Sequence, residues 1–262
     1  MNKQKENPLI FITNDDGPDT IGLNKLIEIV KEITNNYLVV IPQNNCSGYG
    51  HSITLSKPIR LNKINDKLYT CDGTPTDCVM LGIFNILNKQ NPDILISGIN
   101  MGENLGDDIT YSGTVCAALE GSLRNIKSIA VSKVMPKNNY KDDWSSVDFH
   151  LKKIILKILS NNSKFNNFFN INFPNINYKN ILGVKITHLA RRKPMGNFIV
   201  RKDAKNIPYF WLTTDRYSSN IHKIDSDIRS IENNFISITP LDTDMTEDKN
   251  FYLYKDQFDK YK

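Results

Sequence analysis

At 262 residues with 40% hydrophobic side chains, the chain can bury a substantial core without disulfide or metal staples, as one large α/β domain or one domain plus an appendage. Its formal charge of +5 is spread along the sequence rather than gathered into a basic stripe, which argues against a nucleic-acid polymer as partner. No run approaches the roughly 18 apolar residues of a membrane span, and Cys46, Cys71, Cys78 and Cys116 form no C-x-x-C pair, so free thiols in a soluble, cytoplasmic protein are expected.

Leu9 to Gly17 reads Leu-Ile-Phe-Ile-Thr-Asn-Asp-Asp-Gly, an apolar run too short for a helix that ends in paired carboxylates on a glycine turn. It predicts a buried strand delivering Asp15 and Asp16 to the edge where open α/β sheets bind ligands. Gly22 to Ile33 places Leu23, Leu26, Ile27 and Val30 at helical spacing, and Leu38 to Ile41 gives the next strand. After a polar loop, Pro42 to Ser52, strand pieces are expected around Ile53 to Leu61 and Lys67 to Cys71, then a helix over Thr76 to Leu87. Thr74 reads as its N-cap, with Asp77 in the first turn.

Strand Ile94 to Ser97, helix Ser112 to Leu123 and strand Ile129 to Val134 continue an alternation that implies a doubly wound parallel sheet over about Met1 to Met135. Trp144 to Leu159 is an amphipathic helix, and Asn170 to Phe173 and Ile181 to Thr187 read as further strands. The Asn-rich stretch Asn161 to Asn180 carries too many apolar residues, Phe165, Phe168 and Phe169 among them, for a disordered linker. Phe198 to Lys202 and Tyr209 to Thr213 suggest a projecting hairpin, and Phe235 to Leu241 a last strand after a short helix.

Four segments fall at strand ends or helix starts: Asn14 to Gly17, Ser47 to Ser52, Ser97 to Asn100, and Asn104 to Thr114. Together they offer two carboxylates, the Ser47 hydroxyl and the Asn100 carbonyl, hard oxygen donors that suit Mg²⁺, Mn²⁺ or Ca²⁺ better than zinc. Ser112, Gly113 and Thr114 open a helix, whose unpaired N–H groups favour an anion. A cation site beside an anion site points to phosphate chemistry. Asp107 and Asp108 read as loop-shaping acids, Tyr111 and His51 as packing or loop residues, and Cys46 lacks an activating base. His150, His188 and His222 show no ligand spacing.

At these residues the chain resembles the SurE survival proteins, metal-dependent 5′-nucleotidases. The resemblance rests on Asn14-Asp15-Asp16-Gly17, Ser47-Gly48, Gly73-Thr74-Pro75-Thr76-Asp77-Cys78, Ser97-Gly98-Ile99-Asn100, Asn104-Leu105-Gly106-Asp107-Asp108, Tyr111-Ser112-Gly113-Thr114-Val115 and Ser237-Ile238-Thr239-Pro240-Leu241. It implies one divalent ion, Mg²⁺ or Mn²⁺, on Asp15, Asp16, Ser47 and Asn100, with Asn104, Ser112, Gly113 and Thr114 near the phosphate of a nucleoside monophosphate. It implies a Rossmann-like three-layer parallel sheet with a projecting C-terminal β-hairpin and tail used in dimer or tetramer formation, so residues 1–190 are expected to form the catalytic domain and 191–262 the oligomerisation region. Where the family commonly has Asp-Arg-Asn-Arg-Ser, this chain has Gln43-Asn44-Asn45-Cys46-Ser47, which leaves substrate preference open, 3′-nucleotides and polyphosphate included.

The expected reaction is hydrolysis of a phosphomonoester by water, with Asp15 as ligand, base or nucleophile. Water is favoured because aspartyl-nucleophile phosphatases typically carry a second Asp two positions on, where this chain has Gly17. The rival reading is a non-catalytic nucleotide or metal sensor on the same scaffold. A dinucleotide oxidoreductase is disfavoured, because Asp-Asp-Gly stands where a G-x-G-x-x-G pyrophosphate cradle would be.

Overall fold

The computed structural model describes residues 6–136, 141–161, 167–192, 197–213, 224–259 and 261. Phe165 and His222 lie outside the described residues.

The chain opens β1 (Ile10–Thr13), α1 (Ile21–Lys31), β2 (Tyr37–Pro42), β3 (Leu61–Lys63), β4 (Leu68–Cys71) and α2 (Pro75–Leu81). It continues with β5 (Ile94–Met101), α3 (Gly113–Leu123), β6 (Ser128–Lys133), α4 (Ser145–Ser160), β7 (Asn167–Phe173) and β8 (Gly183–Ile186). β9 (Phe198–Lys202), β10 (Pro208–Leu212), α5 (Asp227–Glu232), β11 (Phe235–Asp242) and α6 (Phe251–Phe258) complete it. One nine-stranded sheet runs β3-β4-β2-β1-β5-β6-β7-β11-β8. The six strands from β4 to β7 in that order pair in parallel; β3 pairs antiparallel to β4, and β11 antiparallel to β7.

Strand periodicity explains the layers, since alternate side chains leave a strand on opposite faces. Ile10, Ile12, Val39, Ile41, Ile94 and Ile96 join Leu26 and Val30 of α1 and Leu151 and Ile155 of α4 in one core. Phe11, Leu38, Val40 and Leu95 join Cys78, Val79 and Ala117 of α2 and α3 in the other. Both faces of the parallel strands are thereby dry, which is why their sequence reads as continuous apolar runs. After β1 the chain moves to β2 on one side, and β5 pairs on the other side of β1, so a topological switch point lies between β1 and β5.

Two expectations need correction. Ile53 to Arg60 forms no strand, and only Leu61–Lys63 joins the sheet. The Thr54 N–H donates to Asp77 Oδ1 (3.1 Å) and the Arg60 N–H to Asp72 Oδ1 (2.7 Å), so side-chain carboxylates take bonds that a neighbouring strand would otherwise supply. The helix expected to reach Leu87 leaves α-geometry after Leu81 and continues as a π-turn over Gly82–Ile86.

The last strand enters the main sheet between β7 and β8, with Ile238 opposite Ile171 and Ile186. The hairpin β9–β10 forms a separate two-stranded sheet, and every residue of both strands is exposed. All four cysteines are free and buried.

Candidate active site

β1 ends at a turn closed by the buried Asn14, whose Nδ2 donates to the Gly17 carbonyl (2.7 Å) while its Oδ1 accepts the Gly17 N–H (3.3 Å). This self-contained bonding is the Asx pattern that a short amide makes after a strand, and it fixes the course of Asp15 and Asp16. The loop after β2 is held to them. Cys46 N–H donates to the Asp15 carbonyl (2.7 Å), Asn45 Nδ2 lies 3.4 Å from Asp16 Oδ1, and the Ser47 N–H donates to Asn45 Oδ1 (2.9 Å). Ser47 itself is exposed beside this junction.

From the opposite side comes β5. Its register with β6 breaks between Ser97 and Asn100, an irregularity of the kind that re-aims a side chain at a sheet rim. Asn100 Nδ2 donates to the Gly102 carbonyl (2.7 Å), which commits the amide nitrogen and leaves the carbonyl oxygen as an acceptor. The backbone N–H of Met101 faces the Asp16 carboxylate. α1 enters this region through a close approach: a Cβ on Gly22 would stand 1.9 Å from the Ile99 carbonyl oxygen, so only glycine fits there.

The third wall is the start of α3. Ser112 caps it, its Oγ accepting the Val115 N–H (3.1 Å). Thr114 Oγ1 donates to Asp15 Oδ1 (2.5 Å), and the N–H groups of Gly113 and Thr114 also face that carboxylate. A Cβ at Gly113 would sit 2.8 Å from the Cβ of Asp15, so the helix terminus presses directly on the acid. This placement follows from the macrodipole and the orphan N–H groups of a helix start.

Electrostatics divide the two acids. Burial pushes the Asp15 carboxyl above the usual range, against the lowering pull of Thr114 and the helix N–H groups. Asp16, half-buried, is pushed up to about 6, first by burial and then by the charge of Asp15. Its Oδ2 is buried with no hydrogen-bond partner. An ionised acid left unpaired beside another acid is unfavourable without a cation.

The chemistry of the residues fits a hard divalent cation: two adjacent carboxylates, with Ser47 and Asn100 supplying neutral oxygens from the two segments that bond to Asp16. Among the described residues no group of three His, Cys, Asp or Glu is placed to hold a metal, so such an ion would depend on those neutral oxygens. Cys46 does not compete, because burial pushes its thiol up to about 11 and keeps it protonated.

Thus Asp15, Asp16, Ser47, Asn100 and Ser112 to Thr114 meet through short chains of contacts, and so, by way of Ser132, the β6 register partner of Asn100, does Asn104. Its Nδ2 donates to Ser132 Oγ (2.8 Å), and its carbonyl accepts from Asn170 and Asn172 in a buried amide network. Asp107 and Asp108 shape their loop as expected, Asp107 accepting the Arg192 N–H (2.8 Å). The reading of Thr74 is also borne out: it caps α2 in a capping box with Asp77.

Two features had no sequence signal strong enough to find them. His51 has a partner after all, Nε2 lying 3.1 Å from Glu120 Oε2, and Glu120 is also paired with Arg124. A cavity of about 240 Å³ adjoins the ligand loop, with Asn44, Asn45, Tyr49, Lys57, Asp72 and Thr74 in its wall. Tyr49 between two glycines is the one local hint. Lys57 and Asp72 become neighbours only through the fold.

An acidic pair at the switch point of a parallel α/β sheet, faced by a helix N-terminus, marks a Rossmann-like protein of the phosphate-handling class. Similarity to known proteins narrows the class. The Survival protein SurE family profile matches residues 10–195, and the chain belongs to that family. It is 37% identical to the 5′-nucleotidase SurE of Methylocella silvestris, over 94% of this chain and 97% of that protein. It is equally 37% identical to the 5′-nucleotidase SurE of Brucella anthropi, over 92% of this chain and 93% of that protein. The crystal structure of the SurE protein from Aquifex aeolicus superposes with a TM-score of 0.80 at 35% identity, covering 95% of this chain and 99% of that one.

Proposed function

We propose that this protein is a phosphomonoesterase that hydrolyses nucleoside 5′-monophosphates to nucleoside and inorganic phosphate. Family membership and the two curated 5′-nucleotidase relatives support the activity, and metal dependence accords with the family in general. The finer assignment is one Mg²⁺ or Mn²⁺ ion on Asp15, Asp16, Ser47 and Asn100. The observation that carries it is Asp16 Oδ2, buried and unpartnered beside a second acid.

When bound, such an ion supplies positive charge that neutralises a phosphoryl oxygen and makes a water more acidic. The chain's own groups do the rest. The Gly113 and Thr114 N–H groups hold the Asp15 carboxylate, and the Ser112 hydroxyl, whose oxygen accepts the Val115 N–H, keeps its hydrogen to donate to a phosphoryl oxygen in a low-dielectric setting where such donors act strongly. Asp15 is a poor nucleophile, because it is 4% exposed and tied by Thr114 and the helix terminus. Water is therefore the attacking group, and Asp15 serves as ligand and proton acceptor. Thr114 contributes through Asp15, to which its hydroxyl hydrogen is committed. Asn104 would contribute to the phosphate side by the stiffness that its amide network lends the 102–108 loop.

We extend the proposal to assembly. Residues 1–190 carry the reaction, and the hairpin and α6 within 191–262 mediate a dimer or tetramer. In support, Phe198, Phe210 and Trp211 on the hairpin and Phe251, Tyr252 and Phe258 on α6 are exposed apolar surface of the kind that marks an interface. Among the described residues no helix is long and apolar enough to cross a membrane.

The test is phosphate release from AMP by the purified chain. Release with Mg²⁺ or Mn²⁺ and none in chelator supports the enzyme. Nucleotide binding without turnover would instead favour a sensor on the same scaffold.

A further inference from the structure

The cavity beside the acidic pair has a different electrical character. Asn45 joins the two spaces, bonding Asp16 and Ser47 while also standing in the cavity wall. The wall carries one ammonium, Lys57, whose Nζ reaches the Asp72 carbonyl (3.4 Å), and one carboxylate, Asp72. Behind Thr54 and Thr74 lies the buried Asp77 carboxylate, which accepts from both of their N–H groups. The remaining lining is neutral. Asn44 and Cys46, in the loop that leads to Ser47, both line the cavity and add no charge to it.

A polyanion entering this space would meet a single lysine already offset by Asp72, with no second cation in the wall, an unfavourable balance for successive phosphates. An uncharged polar group meets matching chemistry. The exposed Asn44 amide and the half-exposed Tyr49 phenol each offer a donor and an acceptor, and the Tyr49 ring offers a π-face for a base. A small concave site with a few convergent polar groups is the usual form of such a pocket.

We propose that this cavity takes the nucleoside end of the substrate, with the base against Tyr49, and that its wall, with one lysine balanced by one carboxylate, selects nucleoside monophosphates over phosphate chains. The proposal rests on the reading of the acidic pair as the phosphate end.

The experiment uses the full chain in two formats. Calorimetry of adenosine binding without metal reads the cavity alone. The kcat/KM for AMP, glycerol 2-phosphate and tripolyphosphate, with Mg²⁺ or Mn²⁺, reads selection. Stacking on one aromatic typically changes affinity between several-fold and a hundredfold. Tyr49→Ala is therefore expected to weaken adenosine about tenfold and to lower the AMP to glycerol-phosphate ratio by a similar factor, through KM. Asn44→Arg, at an exposed position, is expected to raise the tripolyphosphate to AMP ratio about fivefold or more.

If AMP is hydrolysed but adenosine does not bind, or both ratios stay put in the two variants, the cavity is idle. That result overturns this inference and leaves the hydrolase reading standing. Failure of the wild-type chain to release phosphate from AMP with any divalent ion would sink both.

Discussion

Strands β1 and β5 and the hairpin β9–β10 are built from similar residues with opposite fates. Ile10, Phe11, Ile12 and Ile96 are wholly buried, while Phe198 is 58% and Trp211 65% exposed. The parallel strands have helices on both faces, so each apolar side chain finds a partner within the chain. Among the described residues the hairpin strands pair only with each other. Burial is therefore a property of what the topology brings alongside, and residue type alone does not determine it. The first region carries the candidate site between its strand ends, and the second leaves its apolar side chains exposed.

The largest effect that would sharpen this contrast is chemical. Asp16→Ala should reduce metal-dependent phosphate release from AMP by about a thousandfold or more, in line with loss of a group on which transition-state charge stabilisation depends. Circular dichroism and thermal melting should report an intact fold, because the Asp16 carboxylate interacts with little of the packing. A variant that unfolds would show the acidic pair to be structural.

Ile96→Ala next tests the buried half against the exposed one. It should cost about 2–5 kcal/mol of unfolding free energy, whereas Phe210→Ala in the hairpin should cost within about 0.5 kcal/mol in the monomeric state. Equal losses in denaturant titrations would erase the distinction. Phe210→Ala should instead lower the self-associated fraction in sedimentation analysis.

Asp227→Ala probes the seam between the regions. The buried Asp227 carboxylate accepts N–H groups from Gly106 (2.7 Å), Ala190 (2.9 Å) and Ile228 (2.8 Å), tying the 106–110 turn to α5. Stranding three buried donors should cost about 2–4 kcal/mol, read in the same titrations. No measurable loss would mean that the two regions are held together by packing alone.

The smallest effect has a definite sign. Asp16 titrates at about 6 in the folded chain against 3.8 as its ordinary value, so its contribution to stability is fully present below about pH 3.8 and lost as pH rises through about 6. Asp15 shifts in the same direction. Asp16→Asn removes the penalty of ionisation. In chelator, its stability relative to wild type should rise between about pH 4 and pH 6, then level off at about 1 kcal/mol once screening at the partly exposed carboxylate is allowed for. A difference that shrinks with pH would reverse the assigned cause.

Much of the parallel sheet was legible because its strands are buried on both faces and punctuated by glycine and acidic turns. Asp15, Asp16, Ser47 and Asn100 could be read together because each follows or ends a strand, and parallel strands bring such ends to one rim. What was not legible depends on side chains from distant segments. Ile53 to Arg60 has strand-like composition, yet Asp77 and Asp72 take its backbone bonds from 12 to 23 residues away in the sequence. The amide network around Asn104 and the His51 to Glu120 pair join positions 28 to 69 residues apart. No periodicity encodes such pairs, and a polar residue in a loop looks the same whether it faces solvent or a buried partner.

The central claim is that oxygen donors from separate stretches of the chain hold one hard cation at the switch point. Its most direct test is titration of the metal-free protein with Mn²⁺, followed by calorimetry or paramagnetic resonance. One ion per chain should bind to the wild type, about tenfold more weakly to Asn100→Ala, and not at all to Asp16→Ala. Undiminished Mn²⁺ binding by Asp16→Ala would contradict the account.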